Sequence, residues 1–126
     1  MPAKRSDQTV LVVDDEPTVR MMITEAPTEL AFDQVEAFDG NSALAILRNG
    51  QQIDLLITDV GLPGMNGRQL ADLVRQLRSG LKVLFVTGYA GNAVLERSVF
   101  GADVELLAEP FSIDALSEKI VSMTRR

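Results

Sequence analysis

The sequence predicts an α/β protein, a (βα)5 doubly wound fold in which a five-stranded parallel sheet carries helices on both faces. Two patterns predict it. Five short apolar runs, at 10–13, 35–38, 55–58, 83–86 and 104–107, are each bounded by polar, glycine or proline residues. Between them apolar residues recur every three and four positions, the spacing of a helix that buries one stripe. Most of the runs are apolar throughout, as strands covered on both faces are. Right-handed crossovers between successive parallel strands put the helices on both sides of the sheet.

Taken in order, the first helix is marked by Val19, Met22, Ile23, Ala26 and Leu30. Pro27 interrupts that stripe. It removes a backbone donor and crowds the preceding turn, at about 3 kcal/mol in a regular helix, so a kink or a restart is expected there. The second strand holds Glu36 inside its apolar run and departs from the all-apolar pattern. A short helix at 41–49 closes on Gly50, a C-terminal cap. Leu70, Leu73, Val74 and Leu77 mark the third helix, and Pro63, Gly64 and Gly67 before it read as turn chemistry. A fourth helix is expected at 92–99, and Ser112 is placed to cap a fifth at 113–123. With 126 residues and no repeat, low-complexity tract or linker, the chain reads as a single domain over 1–126.

Composition narrows the chemistry. The net charge of −6 gives no long-range attraction to nucleic acid or to an anionic membrane surface. No apolar run approaches the roughly 20 residues that span a bilayer, and residues 1–8 lack the apolar core of a signal peptide, so the expected location is cytoplasmic. The chain has no cysteine and no histidine. Disulfides, thiolate nucleophiles, imidazole bases and the usual zinc sites are therefore excluded. What remains is carboxylates, hydroxyls, amines and backbone.

In an open parallel sheet, ligands bind beyond the carboxyl ends of the strands. Here those ends carry Asp14 and Asp15 followed by Glu16 and Pro17, then Asp59, then Thr87 and Gly88, and finally Glu109 and Pro110. Carboxylates held together repel unless a positive charge sits among them. Mg²⁺ suits them, since it takes octahedral oxygen ligands from one or two carboxylates plus waters and other oxygens. Asp15, Asp59 and a backbone carbonyl such as that of Gly61 match that need. The Asp14 and Asp15 pair reads equally as a cap at the positive end of the first helix, and Thr87 as a β-branched residue ending a strand.

Four segments together settle more than any one of them: Val12-Val13-Asp14-Asp15-Glu16-Pro17, Thr58-Asp59-Val60-Gly61-Leu62-Pro63-Gly64-Met65-Asn66-Gly67, Val86-Thr87-Gly88-Tyr89-Ala90 and Glu109-Pro110-Phe111. In that order, at the ends of those strands, the chain resembles the response-regulator receiver family over nearly its whole length. The resemblance implies a flavodoxin-like receiver fold and a phosphoryl-accepting switch of a two-component system or phosphorelay. It makes Asp59 the phosphoacceptor, with Asp15 and the Gly61 carbonyl completing a Mg²⁺ site, Asp14 orienting metal-bound water and Thr87 bonding the phosphoryl group. The implied donor is a phosphohistidine on a sensor histidine kinase or histidine phosphotransfer protein.

Two positions depart from the family. Glu109 stands where the family has a lysine that pairs with the phosphoryl group, and Leu106 stands at the frequent aromatic switch position. The alternative these departures suggest is a receiver-like interaction module that works without phosphorylation. Tyr89, the only tyrosine, reads as a switch or partner residue or as half-buried packing. An enzyme on the same fold is a third reading, but no phosphate-binding glycine motif follows the first strand and no histidine is available. The chain is therefore expected not to be an enzyme.

Overall fold

The computed structural model describes residues 8–59, 64–65, 67–87, 103–108 and 111–124, with Thr87 and Ala108 described in their backbone alone. The elements run β1 (Thr9–Val13), α1 (Pro17–Glu29), β2 (Asp33–Ala37), α2 (Gly40–Arg48), β3 (Leu55–Asp59), α3 (Gly67–Leu77), β4 (Lys82–Thr87), β5 (Val104–Ala108) and α4 (Ile113–Thr124). All strand pairs are parallel, and the five strands form one sheet in the order β2-β1-β3-β4-β5. This is the flavodoxin-like receiver arrangement, and the strand order reverses between β1 and β3. The helix expected at 92–99 lies outside the described residues.

Side chains alternate across a strand, so each apolar strand feeds two cores. Leu11, Val13, Leu56, Val83 and Phe85 face one way and pack with Leu44 and Leu47 of α2 and Leu70 and Val74 of α3. Val10, Val12, Leu55, Ile57, Leu84 and Val86 face the other way, against Ile23 and Ala26 of α1 and Leu116, Ile120 and Met123 of α4. The central strands β1 and β3 are buried along their apolar length. β2 is different: it is an edge strand, exposed at Asp33 and Glu36 and fully buried only at Ala37. Its interrupted pattern follows from that position.

Pro27 does not restart α1, which is one continuous helix from Pro17 to Glu29. The proline sits in the last turn, where few bonds remain to be lost, and its ring is buried. The turn beyond it closes as a Schellman motif: Ala31 N–H donates to the Thr28 carbonyl at 3.0 Å and Phe32 N–H to the Pro27 carbonyl at 2.9 Å. α2 ends as expected on Asn49 and Gly50, and Gly50 has φ +85°. α4 starts as expected, with Ser112 Oγ accepting the Ala115 N–H at 3.0 Å.

Candidate functional site

Register builds the site. In the β1–β3 ladder Val13 lies opposite Thr58, so the next residue on each strand, Asp14 and Asp59, emerges at the same level of the sheet. In the β3–β4 ladder Asp59 lies opposite Val86, which places Thr87 one residue beyond that level. The three positions span the place where strand order reverses.

Asp14 is 2% exposed although charged, and its surroundings explain how it is held. Its backbone N–H donates to the Ala37 carbonyl at 3.2 Å, extending the β1–β2 ladder by one residue. Its Oδ1 accepts the Glu16 N–H at 2.9 Å, a side-chain turn that swings the chain from β1 into α1. Asp15 sits at the outside of that turn and is exposed. The start of α1 has no side-chain cap: Glu16 occupies the cap position with extended backbone, and Pro17 enters the first turn with its φ already set for a helix. The aspartates are thus not consumed in capping α1 at its second or third N–H. Asp14, Asp15 and Asp59 converge instead, each offering one carboxylate oxygen within 4.8 Å of those of the other two.

Three carboxylate oxygens at that separation, from one buried, one exposed and one intermediate residue, form a hard oxygen-donor cup. Such a donor set suits Mg²⁺ and leaves room for waters and phosphate oxygens.

Gly61, Tyr89 and Glu109 lie outside the described residues, as does the side chain of Thr87. Leu106 is half-buried in β5 opposite Phe85 and packs against the core beneath α2 and α3. One contributor escaped the sequence: Arg20 of α1. Its Nη1 donates to the Asp14 carbonyl at 2.7 Å and its Nε to Glu36 Oε1 at 3.0 Å. On a helix surface such an arginine looks like one more solvated charge. Only the β1–β2 register, which sets Val12 opposite Glu36, brings its partners together.

A single parallel sheet of this strand order is the flavodoxin-like receiver fold. The chain belongs to the response regulator receiver domain family, whose model matches residues 10–121. It is similar to the sensor kinase CckA of Brucella abortus, at 33% identity over 119 residues covering 94% of this chain and 13% of the kinase. The chemotaxis protein CheY of Pseudomonas aeruginosa is 36% identical over 124 residues, covering 93% of this chain and 96% of that protein. Among solved structures, the response regulator TrrA of Thermotoga maritima, in complex with Mg²⁺-BeF, matches with a TM-score of 0.80 at 31% identity, covering 92% of this chain and 98% of that one. The chain spans 12 to 50% of other sensor-kinase and transcriptional-regulator relatives. Among the described residues no helix is long and apolar enough to cross a membrane.

Proposed function

We propose that this chain, one domain over 1–126, is a cytoplasmic phosphoryl-accepting switch in a two-component system or phosphorelay, and not an enzyme acting on a separate substrate. The observation that carries the reading is the convergence of Asp14, Asp15 and Asp59 at the strand-order reversal of a receiver fold. Asp59 is the phosphoacceptor. Its carboxylate oxygen attacks phosphorus of a phosphohistidine, an O–P bond forms, the P–N bond breaks, and the electron pair leaves with the imidazole nitrogen. The donor is a sensor histidine kinase or a histidine phosphotransfer protein, in keeping with the similarity to a sensor kinase.

The acidic cluster fits Mg²⁺, which Asp15, Asp59 and the Gly61 carbonyl would hold while Asp14 would orient metal-bound water, and the complex of TrrA with Mg²⁺-BeF supports that fit. When bound, Mg²⁺ offsets the negative charge of the carboxylates and of the phosphoryl oxygens. Asp59, the last residue of the otherwise buried strand β3, brings a carboxylate oxygen within 4.8 Å of those of Asp14 and Asp15. Asp14 is buried and accepts the Glu16 N–H through Oδ1, which restrains its carboxylate. Thr87 follows Val86 on the neighbouring strand, within the family's place for a hydroxyl that bonds the phosphoryl group.

Incubation with a small phosphoramidate or acyl phosphate and Mg²⁺, followed by intact mass, tests the reading. One phosphoryl group is expected on the parent chain and none on Asp59→Asn; labelling of that variant would overturn the assignment. Glu109 opposes the incoming anion where a lysine would attract it, so Glu109→Lys is expected to raise the extent of labelling at a fixed time.

A further inference from the structure

We infer that Arg20 is a positioning residue for the carboxylate cup, setting where Asp15 stands; this rests on the cation-binding reading above. Asp15 is exposed. Its flanking peptide groups set its place. The Arg20 guanidinium holds the strand side, its Nη1 donating to the Asp14 carbonyl at 2.7 Å. The helix side is held by the ordinary first-turn bond from the backbone N–H of residue 20 to the Glu16 carbonyl at 2.9 Å, which any residue but proline makes there. Asp15 is thus bracketed from both sides, and the side-chain half of the bracket is the part that belongs to arginine. The guanidinium is not left to wander, because its Nε is engaged by Glu36 of the neighbouring strand at 3.0 Å, and its side chain is only 20% exposed.

The planar fork matters. Arginine directs two fixed N–H vectors, one at a strand-end carbonyl and one at a carboxylate, whereas a lysine ammonium is a single point charge on a flexible stem. Charge and geometry also act in opposite directions here. A cation beside a cation site repels the incoming ion, so removing the charge alone tightens Mg²⁺ binding, whereas losing the bracket loosens Asp15 and weakens it. The sign of the change separates a positioning role from a purely electrostatic one.

The experiment compares the parent, Arg20→Lys and Arg20→Met by Mg²⁺ titration followed through the amide resonances of Asp15 and Glu16, with melting temperatures taken in the absence of the cation. Arg20→Lys, at constant charge, is expected to raise the Mg²⁺ dissociation constant roughly tenfold, the size typical of outer-sphere supporting residues. It should also shift the Asp15 and Glu16 amides before any cation is added. Arg20→Met should weaken binding as well, despite the lost positive charge. Unchanged or tighter Mg²⁺ binding in either variant would overturn the proposal, even if the melting temperature falls, since that is a tether without positioning. A parent chain that shows no Mg²⁺ response would instead bring down the cation reading itself, and this inference with it.

Discussion

α1 and α2 precede and follow the same edge strand, yet they are specified in opposite ways. α2 carries its own instructions. Asp39 caps its start by accepting the Ser42 N–H at 2.8 Å, and Gly50 takes the left-handed position after its end. Arg78 covers carbonyls at its C-terminal end, donating to Leu47 at 2.9 Å and Gln51 at 2.7 Å. α1 has none of these. Its start lacks a side-chain cap, its last turn holds Pro27, and the left-handed position after it, φ 61°, is filled by Ala31. What keeps α1 helical is tertiary: Ile23 and Ala26 buried under the sheet, and Arg20 tied to β1 and β2. The helix that adjoins the site is the one whose local code is weakest. Its opening turn serves the carboxylates rather than itself.

That contrast is open to attack from both ends. The largest effect is expected at the α1 start: Asp15→Ala should remove most of the stabilisation that millimolar Mg²⁺ gives the parent, because that gain comes from binding to the folded cup alone. Thermal melts with and without Mg²⁺ measure it, and an undiminished shift in the variant would show that Asp15 is not a ligand. The matching change at α2, Asp39→Ala, should cost about 1 kcal/mol by denaturant titration while leaving the Mg²⁺ shift intact. A loss of both would mean that the two helix starts are not independent.

The helix ends give smaller changes of opposite sign. A methyl group on Gly50 meets nothing within 4 Å, so Gly50→Ala is penalised only for its positive φ, by about 1 kcal/mol. Ala31→Gly relieves the same penalty in α1 and should stabilise the chain by roughly 0.5 kcal/mol, the gain being trimmed by the greater freedom of glycine in the unfolded chain. If Ala31→Gly destabilises instead, packing of the alanine methyl outweighs the strain.

The same contrast governed what was legible in the sequence. α2 and α4 were readable to within a residue because Gly50 and Ser112 are local signals. The central strands β1, β3 and β4 were readable because burial on two faces leaves a nearly unbroken apolar run, whereas Glu36 and Glu105 interrupt the two edge strands. The restart expected at Pro27 in α1 does not occur, because a proline one turn from a helix end costs little, and nothing local marks Glu29 as that end. The grouping of Asp14, Asp15 and Asp59 was legible since the first two come just after β1 and Asp59 ends β3, and ligands of such sheets bind beyond the strand ends. Arg20 and Glu36 were not, because 16 residues separate them and the pairing exists only after β1 and β2 align.

The exposed carboxylates of β2 carry one more consequence. An edge strand offers unpaired backbone groups to any other extended chain, and unprotected edges seed aggregation. Here the approaching chain would have to strip water from Asp33 and Glu36 on a strand only five residues long. At the opposite edge Glu105 of β5 is tied to Lys119 at 2.7 Å, so docking there must dismantle an ion pair first. Charged side chains thus guard both edges of the five-stranded sheet against pairing with another extended chain.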